Sequence, residues 1–158
     1  MAVQDLKAAA TGAVVVGMDD SASARSALHY AIEEARRRQA PVLALTVYNS
    51  PSAWAREVSK VLDEERLVGE VQQAAQRVVD EVVAAERERG LEMPVVRAGI
   101  QTGSPADVLC RVSRDATLLV IGDRGRGPIA SRLIGSVVLG VVVNARCPVL
   151  VIHPEDRG

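Results

Sequence analysis

The residues with the clearest chemical potential form the stretch Gly122-Asp123-Arg124-Gly125-Arg126-Gly127, and Gly135-Ser136 follows eight residues after Gly127. Glycines let backbone N–H groups approach phosphate oxygens closely and accept positive φ. The Ser136 hydroxyl can donate to an anion, and a helix starting there would present unpaired N–H groups. Arg124, Arg126 and Arg132 would offset phosphate charge. Glycines alone are equally compatible with an ordinary turn. Their position after an apolar run, the arginines and the Gly-Ser helix start favour a phosphate-binding loop.

Other reactive groups give weaker signals. Asp19 and Asp20 could accept hydrogen bonds from a ribose or an adenine edge, or they could cap the following helix; both readings stay open. Neither has a visible partner for acid–base work. His29 and His153 read as structural or surface residues. Cys110 and Cys147 lack metal-ligand or redox spacing and read as small hydrophobes in a reducing compartment. No H-x-x-H, H-E-x-x-H or Cys/His cluster suggests a metal site. The first βα turn has a single Gly17 rather than G-x-G-x-x-G, against a dinucleotide oxidoreductase. G-x-x-x-x-G-K-[ST] is missing, against a P-loop ATPase, and G-x-S-x-G is missing, leaving hydrolase chemistry no obvious home.

These groups need elements to position them. Residues 1–12 read as a flexible lead-in. Ala13–Met18 is a short apolar run suited to a strand buried on both faces. Ser21 or Ser23 can cap a helix, in which Ala24, Ala27, Leu28, Ala31, Ile32 and Ala35 recur at helical spacing. Arg36-Arg37-Arg38 suits the end of its dipole, and Pro41 stops it. Val42–Val47 reads as a second strand and Tyr48–Ala55 as a loop. A long helical pattern runs from Val61 to Ala85, with Gly69 a local weakness and Gly90 a C′ residue. A third strand lies within Met93–Ile100. Ser104-Pro105-Ala106-Asp107 gives an N-cap, a proline at N1 and an acid at N3, a variant of the capping box. Val108, Leu109 and Val112 form that helix's inner face. Thr117–Ile121 and Val149–Ile152 are the fourth and fifth strands. Val137–Val143 is open between strand, from its β-branched residues, and helix, from its flanks. Such βα alternation implies a parallel sheet with helices on both faces. Ligands then sit outside the carboxyl ends of the strands, where the winding reverses.

The chain has 158 residues, the size of one domain, with 48% apolar and 25% charged residues. At this size roughly 70% of the unfolded surface is buried without staples. A net charge of −1 and an aromatic content of 2% argue against nucleic acid or an anionic membrane as partner. No signal-peptide pattern and no apolar run near the ~20 residues of a membrane span is present, so the cytoplasm is expected. Lysine occurs only at Lys7 and Lys60 against many arginines, a bias that points to a GC-rich bacterial source.

Gly122-x2-Gly125-x9-Gly135-Ser136 resembles the phosphate-loop pattern of the ATP-binding branch of the universal stress protein family. Val16-Gly17-Met18-Asp19-Asp20-Ser21 resembles that family's opening strand and turn, and Arg146-Cys147-Pro148-Val149-Leu150-Val151-Ile152 its closing segment. The resemblance covers roughly residues 12–154. It implies a single-domain, Rossmann-like α/β fold at 13–154, with residues 155–158 as a tail. The sheet would be open, parallel and five-stranded, in the order 3-2-1-4-5, with helices on both faces. It resolves Val137–Val143 in favour of helix. ATP is the implied ligand, with Mg²⁺ or Mn²⁺ as companion ions. Asp19 would lie near ribose and adenine, and Val47 beside adenine. Gly122, Gly125, Gly127, Gly135, Ser136 and Val137 would surround ribose and phosphates. Asp20 departs from the family, which usually has glycine there. A carboxylate close to phosphates would weaken binding or recruit a divalent cation, and Asp123 raises the same issue within the loop.

The implied function is a nucleotide-gated regulatory or signalling module in stress response, with at most slow ATP hydrolysis. Two alternatives accompany it: a slow ATPase or phosphotransferase using Mg²⁺ beside Asp19 and Asp20, and a protein-interaction module whose site is vestigial or prefers cyclic AMP. In the implied order Val149–Ile152 is a bare apolar sheet edge. Such an edge is usually covered, so a homodimer paired through this strand is expected, beside a downstream protein the residues do not identify.

Overall fold

The uninterrupted apolar runs become the middle of a sheet, because a strand flanked by strands and covered by helices has no wet face. The computed structural model describes residues 3–49, 64–123 and 135–153. The strands are β1 (Val14–Met18), β2 (Val42–Tyr48), β3 (Val96–Thr102), β4 (Leu118–Gly122) and β5 (Val149–Ile152). The helices are α1 (Val3–Ala10), α2 (Ala22–Arg38), α3 (Glu64–Glu88), α4 (Pro105–Val112) and α5 (Ser136–Asn144). The sheet order is β3-β2-β1-β4-β5, and every pairing is parallel. This is the expected α/β architecture.

Alternation along the strands divides the core into two layers. Val14, Val16, Leu118 and Val120 face α2 and α3, where they meet Leu28, Ile32, Val78 and Val82. Val15, Leu119 and Ile121 face Leu6 of α1, Val108 and Leu109 of α4 and Val138 and Val141 of α5. Val14, Val15 and Val16 are fully buried. At about 1.5–3 kcal/mol for each fully buried valine, β1 anchors both layers.

Residues 1–12 are not simply a loose lead-in. Val3–Ala10 is helical, and Leu6 and Ala10 are buried against the second layer. The turn that follows is fixed by Gly12, whose N–H donates to the Asp115 carbonyl and whose φ is +71°. The Ala-rich segment is a good helix former, but one leucine among alanines leaves little hydrophobic pattern to read.

Two local expectations change. Ser104 stands at the N-cap of α4 with proline behind it, but its side chain makes no capping hydrogen bond. Tyr48 closes β2 rather than opening a loop, and it pairs in register with Thr102. The rest of the expected loop, from Ser50 to Ala55, lies outside the described residues. Val137–Val143 is helical, as the family resemblance implies. Val138 and Val141 provide the buried face, while Leu139, Val142 and Val143 are exposed.

Candidate functional site

The sheet winds one way from β1 through β2 to β3 and then crosses back to β4, so the switch in direction lies between β1 and β4. Such a switch leaves an open crevice at the carboxyl ends of the strands. Asp19 directly follows β1. Met18 is in register with Thr46, which puts Val47 level with Asp19. Val16 is in register with Val120, which puts Gly122 level with Met18. Gly135, Ser136 and Val137 start α5 on the other side of β4, where the Gly135 N–H donates to the Asp123 carbonyl at 3.3 Å. The topology thus brings Asp19, Val47, Gly122, Gly135, Ser136 and Val137 to one end of the sheet. Gly125 and Gly127, with Arg124, Arg126 and Arg132, lie outside the described residues.

The amino terminus of α5 carries the electrostatic character of the site. Gly135 is its N-cap, with an extended backbone (φ −61°, ψ 150°), and, having no side chain, makes no capping hydrogen bond of its own. The first-turn N–H groups and the positive end of the dipole therefore face the carboxyl end of the sheet without a cap from the N-cap side chain. Among the described residues, a Cβ on Gly135 would come no closer than 3.5 Å, at the Asp123 carbonyl. Packing against them therefore does not demand glycine here.

Gly122 is different. A Cβ there would lie 2.5 Å from the Ser23 Cβ and 2.8 Å from the Ser23 carbonyl carbon. This glycine lets the end of β4 touch the first turn of α2. Close helix–strand approach, rather than ligand access alone, explains it.

The two acids after β1 have separate tasks. Asp19 accepts hydrogen bonds at Oδ1 from the Ser21 N–H (3.1 Å) and the Ser21 hydroxyl (2.6 Å). Ser21 in turn is the N-cap of α2, accepting from the Ala24 N–H at 3.1 Å. Asp20 has φ +65°, the left-handed region that glycine enters most readily and aspartate tolerates. Its carboxylate meets Arg25 at 3.2 Å, and Arg25 also meets Glu81 at 2.6 Å. The hydrogen bond to Glu81 outweighs burial and, with Asp20, holds the Arg25 guanidinium above its usual value. Asp20 thus shares the Arg25 cation with Glu81.

Asp123, the acid within the expected loop, is turned into the fold. Its residue is only 5% exposed. Oδ1 accepts from the Ser23 hydroxyl at 2.7 Å, and Oδ2 lies 2.8 Å from His153 Nδ1. Nothing in the local sequence announced this, because Ser23 is 100 residues away and His153 is 30.

His29 is structural, as expected. Its Nδ1 lies 2.6 Å from Oε1 of the buried Glu86, which Arg89 also meets at 3.0 Å. Burial alone would raise Glu86, but the hydrogen bonds from His29 and Arg89 outweigh it and hold the carboxyl below its ordinary value. Both cysteines are free, and burial raises both thiols. Among the described residues no group of three or more His, Cys, Asp or Glu could hold a metal ion. No described helix is long and apolar enough to cross a membrane. A cavity of about 790 Å³ between the end of α2 and the segment before β3, lined in part by Arg36, Pro41, Met93 and Val95, is at the opposite end of the sheet and contains none of the expected site residues.

The universal stress protein family pattern matches residues 11–153. The chain belongs to that family. Universal stress protein Rv2623 of Mycobacterium tuberculosis is 32% identical over 145 residues, covering 90% of this chain and 48% of the relative. Universal stress protein Rv2005c of the same organism is 29% identical over 153 residues, with 90% and 48% covered. The chain thus spans about half the length of the curated relatives it matches. Among solved structures, a universal stress protein in complex with cAMP is 26% identical, with a TM-score of 0.64, covering 92% of this chain and 99% of that one. The universal stress protein from Archaeoglobus fulgidus in complex with dAMP is 25% identical, with a TM-score of 0.58 and coverage of 90% and 98%.

Proposed function

We propose that this universal stress protein binds an adenine nucleotide, ATP first among them, and acts as a nucleotide-gated regulatory module in stress response. The observation that carries the reading is the α5 amino terminus starting at Gly135, placed across the β1–β4 switch point from Asp19. In this reading Val47 lies beside adenine and Asp19 accepts from the ribose. The N–H groups of Ser136 and Val137 and the Ser136 hydroxyl donate to phosphate oxygens, and Gly135 lets them approach. Gly122 sets the crevice width, and Gly125 and Gly127 complete the loop. Two adenine-nucleotide complexes among the structural neighbours support the ligand class.

The described acids do not fit a cation site of their own, since Asp20 is engaged by Arg25 and Asp123 by Ser23 and His153. No step is therefore assigned to Mg²⁺ or Mn²⁺. A cytoplasmic setting suits the two free thiols.

Calorimetric titration of ATP into the wild-type protein and Gly135→Val tests the reading. Binding by the wild type and its loss in the variant are expected. No heat from the wild type, or equal binding by the variant, overturns it. The cAMP and dAMP complexes of the neighbours favour a second reading, in which a monophosphate is preferred; competition between ATP, ADP, AMP and cyclic AMP for the site decides between the two.

A homodimer through β5 belongs to the same proposal. Beside β4, β5 is a sheet edge whose Val149, Leu150 and Val151 are only partly buried. Leu139, Val142 and Val143 of α5 are 61%, 55% and 71% exposed. An apolar edge beside an apolar helix face suits a second copy of the chain.

A further inference from the structure

The buried acid at the root of the phosphate loop has a role that the ligand contacts do not use. Among the described residues, Asp123 makes four connections, reaching β5, the start of α5, α2 and the segment after β5. Its N–H donates to the Ile152 carbonyl of β5 at 2.8 Å, and its carbonyl accepts from Gly135 at 3.3 Å. Its carboxylate takes the Ser23 hydroxyl of α2 and the His153 ring after β5. This is not a nucleophilic triad. In such triads the imidazole adjoins the hydroxyl and takes its proton. Here the carboxylate stands between the two, and Ser23 is itself buried.

A carboxylate whose side chain is 6% exposed is costly unless fully engaged. Once engaged, it fixes its partners in place. Residues 123 and 135 are the two ends of the segment joining β4 to α5, and the backbone bond between them closes its neck. The carboxylate ties that neck sideways to α2 and to β5. Gly122 makes the tie possible by letting Ser23 reach the end of β4.

We infer that Asp123, with Ser23 and His153, is a positioning residue of the nucleotide site, fixing the amino terminus of α5 where it meets the phosphates. The inference rests on the nucleotide reading above. It predicts a loss confined to the phosphate end of the ligand. A lost hydrogen bond of ordinary strength corresponds to about a threefold to tenfold change in affinity.

The test compares ATP with adenosine on the full chain carrying Ser23→Ala, His153→Ala, Asp123→Asn or Asp123→Ala. His153 has a 75% exposed side chain, so its removal leaves the core intact. Each variant is expected to bind ATP about threefold to tenfold more weakly and adenosine within twofold of wild type. Asp123→Asn, which keeps an acceptor for Ser23, is expected to retain more ATP affinity than Asp123→Ala. Amide exchange at Gly135 without nucleotide is expected to speed up in every variant. Equal losses for ATP and adenosine, or no loss of ATP affinity, overturn the inference. Wild type that binds neither ligand overturns the nucleotide reading instead. The neck is then judged by Gly135 exchange alone, and unchanged exchange overturns it.

Discussion

Gly122→Ala is expected to destabilise the fold before any ligand is added. The new Cβ would sit 2.5 Å from the Ser23 Cβ, 2.8 Å from its carbonyl carbon and 3.0 Å from its carbonyl oxygen. Two of these are backbone atoms in the first turn of α2 and cannot rotate away. Overpacking a tight site costs about 1–3 kcal/mol, and rigid backbone partners place this change in the upper half of that range. Alanine recovers about 0.5 kcal/mol through the reduced entropy of the unfolded chain, leaving a net cost of about 2 kcal/mol. Moving Ser23 also disturbs its bond to Asp123. For a domain of this size each kcal/mol lowers Tm by about 2–4 °C, so a fall of about 4–8 °C is expected. Thermal unfolding followed by far-UV circular dichroism, without nucleotide, measures the fall in Tm, and urea unfolding measures the loss of free energy. Gly135→Ala is the matched control. Its nearest neighbour among the described residues would be 3.5 Å away and its backbone suits alanine, so the poorer N-cap sets the expected cost, about 0.5–1 kcal/mol. Equal stability of Gly122→Ala and wild type would refute the argument that the two glycines serve different ends.

Three further outcomes follow from the same structure. Glu86 has a lowered folded-state value, so its contribution is present above the unfolded value of 4.5 and is lost as pH falls below that through the folded value; denaturation at stepped pH should show wild type losing stability there and Glu86→Gln losing less. Leu6→Ala should cost about 2–3 kcal/mol in urea unfolding, since the side chain is 2% exposed, whereas a loose lead-in would give no change. Val143→Glu should leave unfolding of the monomer nearly unchanged, because the residue is 71% exposed, yet abolish self-association in sedimentation at micromolar concentration.

Local signals carried much of this fold. Val14–Met18 and Leu118–Ile121 are legible because strands buried on both faces need unbroken apolar runs. The α2 stripe from Ala24 to Ala35 is legible because one face of a helix is buried. Val137–Val143 defeated propensity because β-branched residues were recruited to a helix whose buried positions, Val138 and Val141, are set by packing against β4 and α4. Asp19, Gly122 and Gly135 were expected together, from the loop spacing and the family resemblance, and the topology puts them at one end of the sheet. The close approach of Gly122 to Ser23 was not legible, since it is a contact between distant positions. The burial of Asp123 was hidden for the same cause: its partners are far apart in the chain and share no periodicity.

The central place of β1 bears on the order in which the molecule comes together. Val14 pairs with Val42, 28 positions later (42 − 14), and with Leu118, 104 positions later (118 − 14). Loop closure for the second pairing costs about 1 kcal/mol more than for the first. Pairing of β1 with β2 is therefore favoured early, and docking of β4 comes later. The crevice between β1 and β4 then exists only once the long closure has been made. A nucleotide bound there, as proposed, would not seed the fold. It would act as a late brake on unfolding, stabilising the native chain with the logarithm of its concentration.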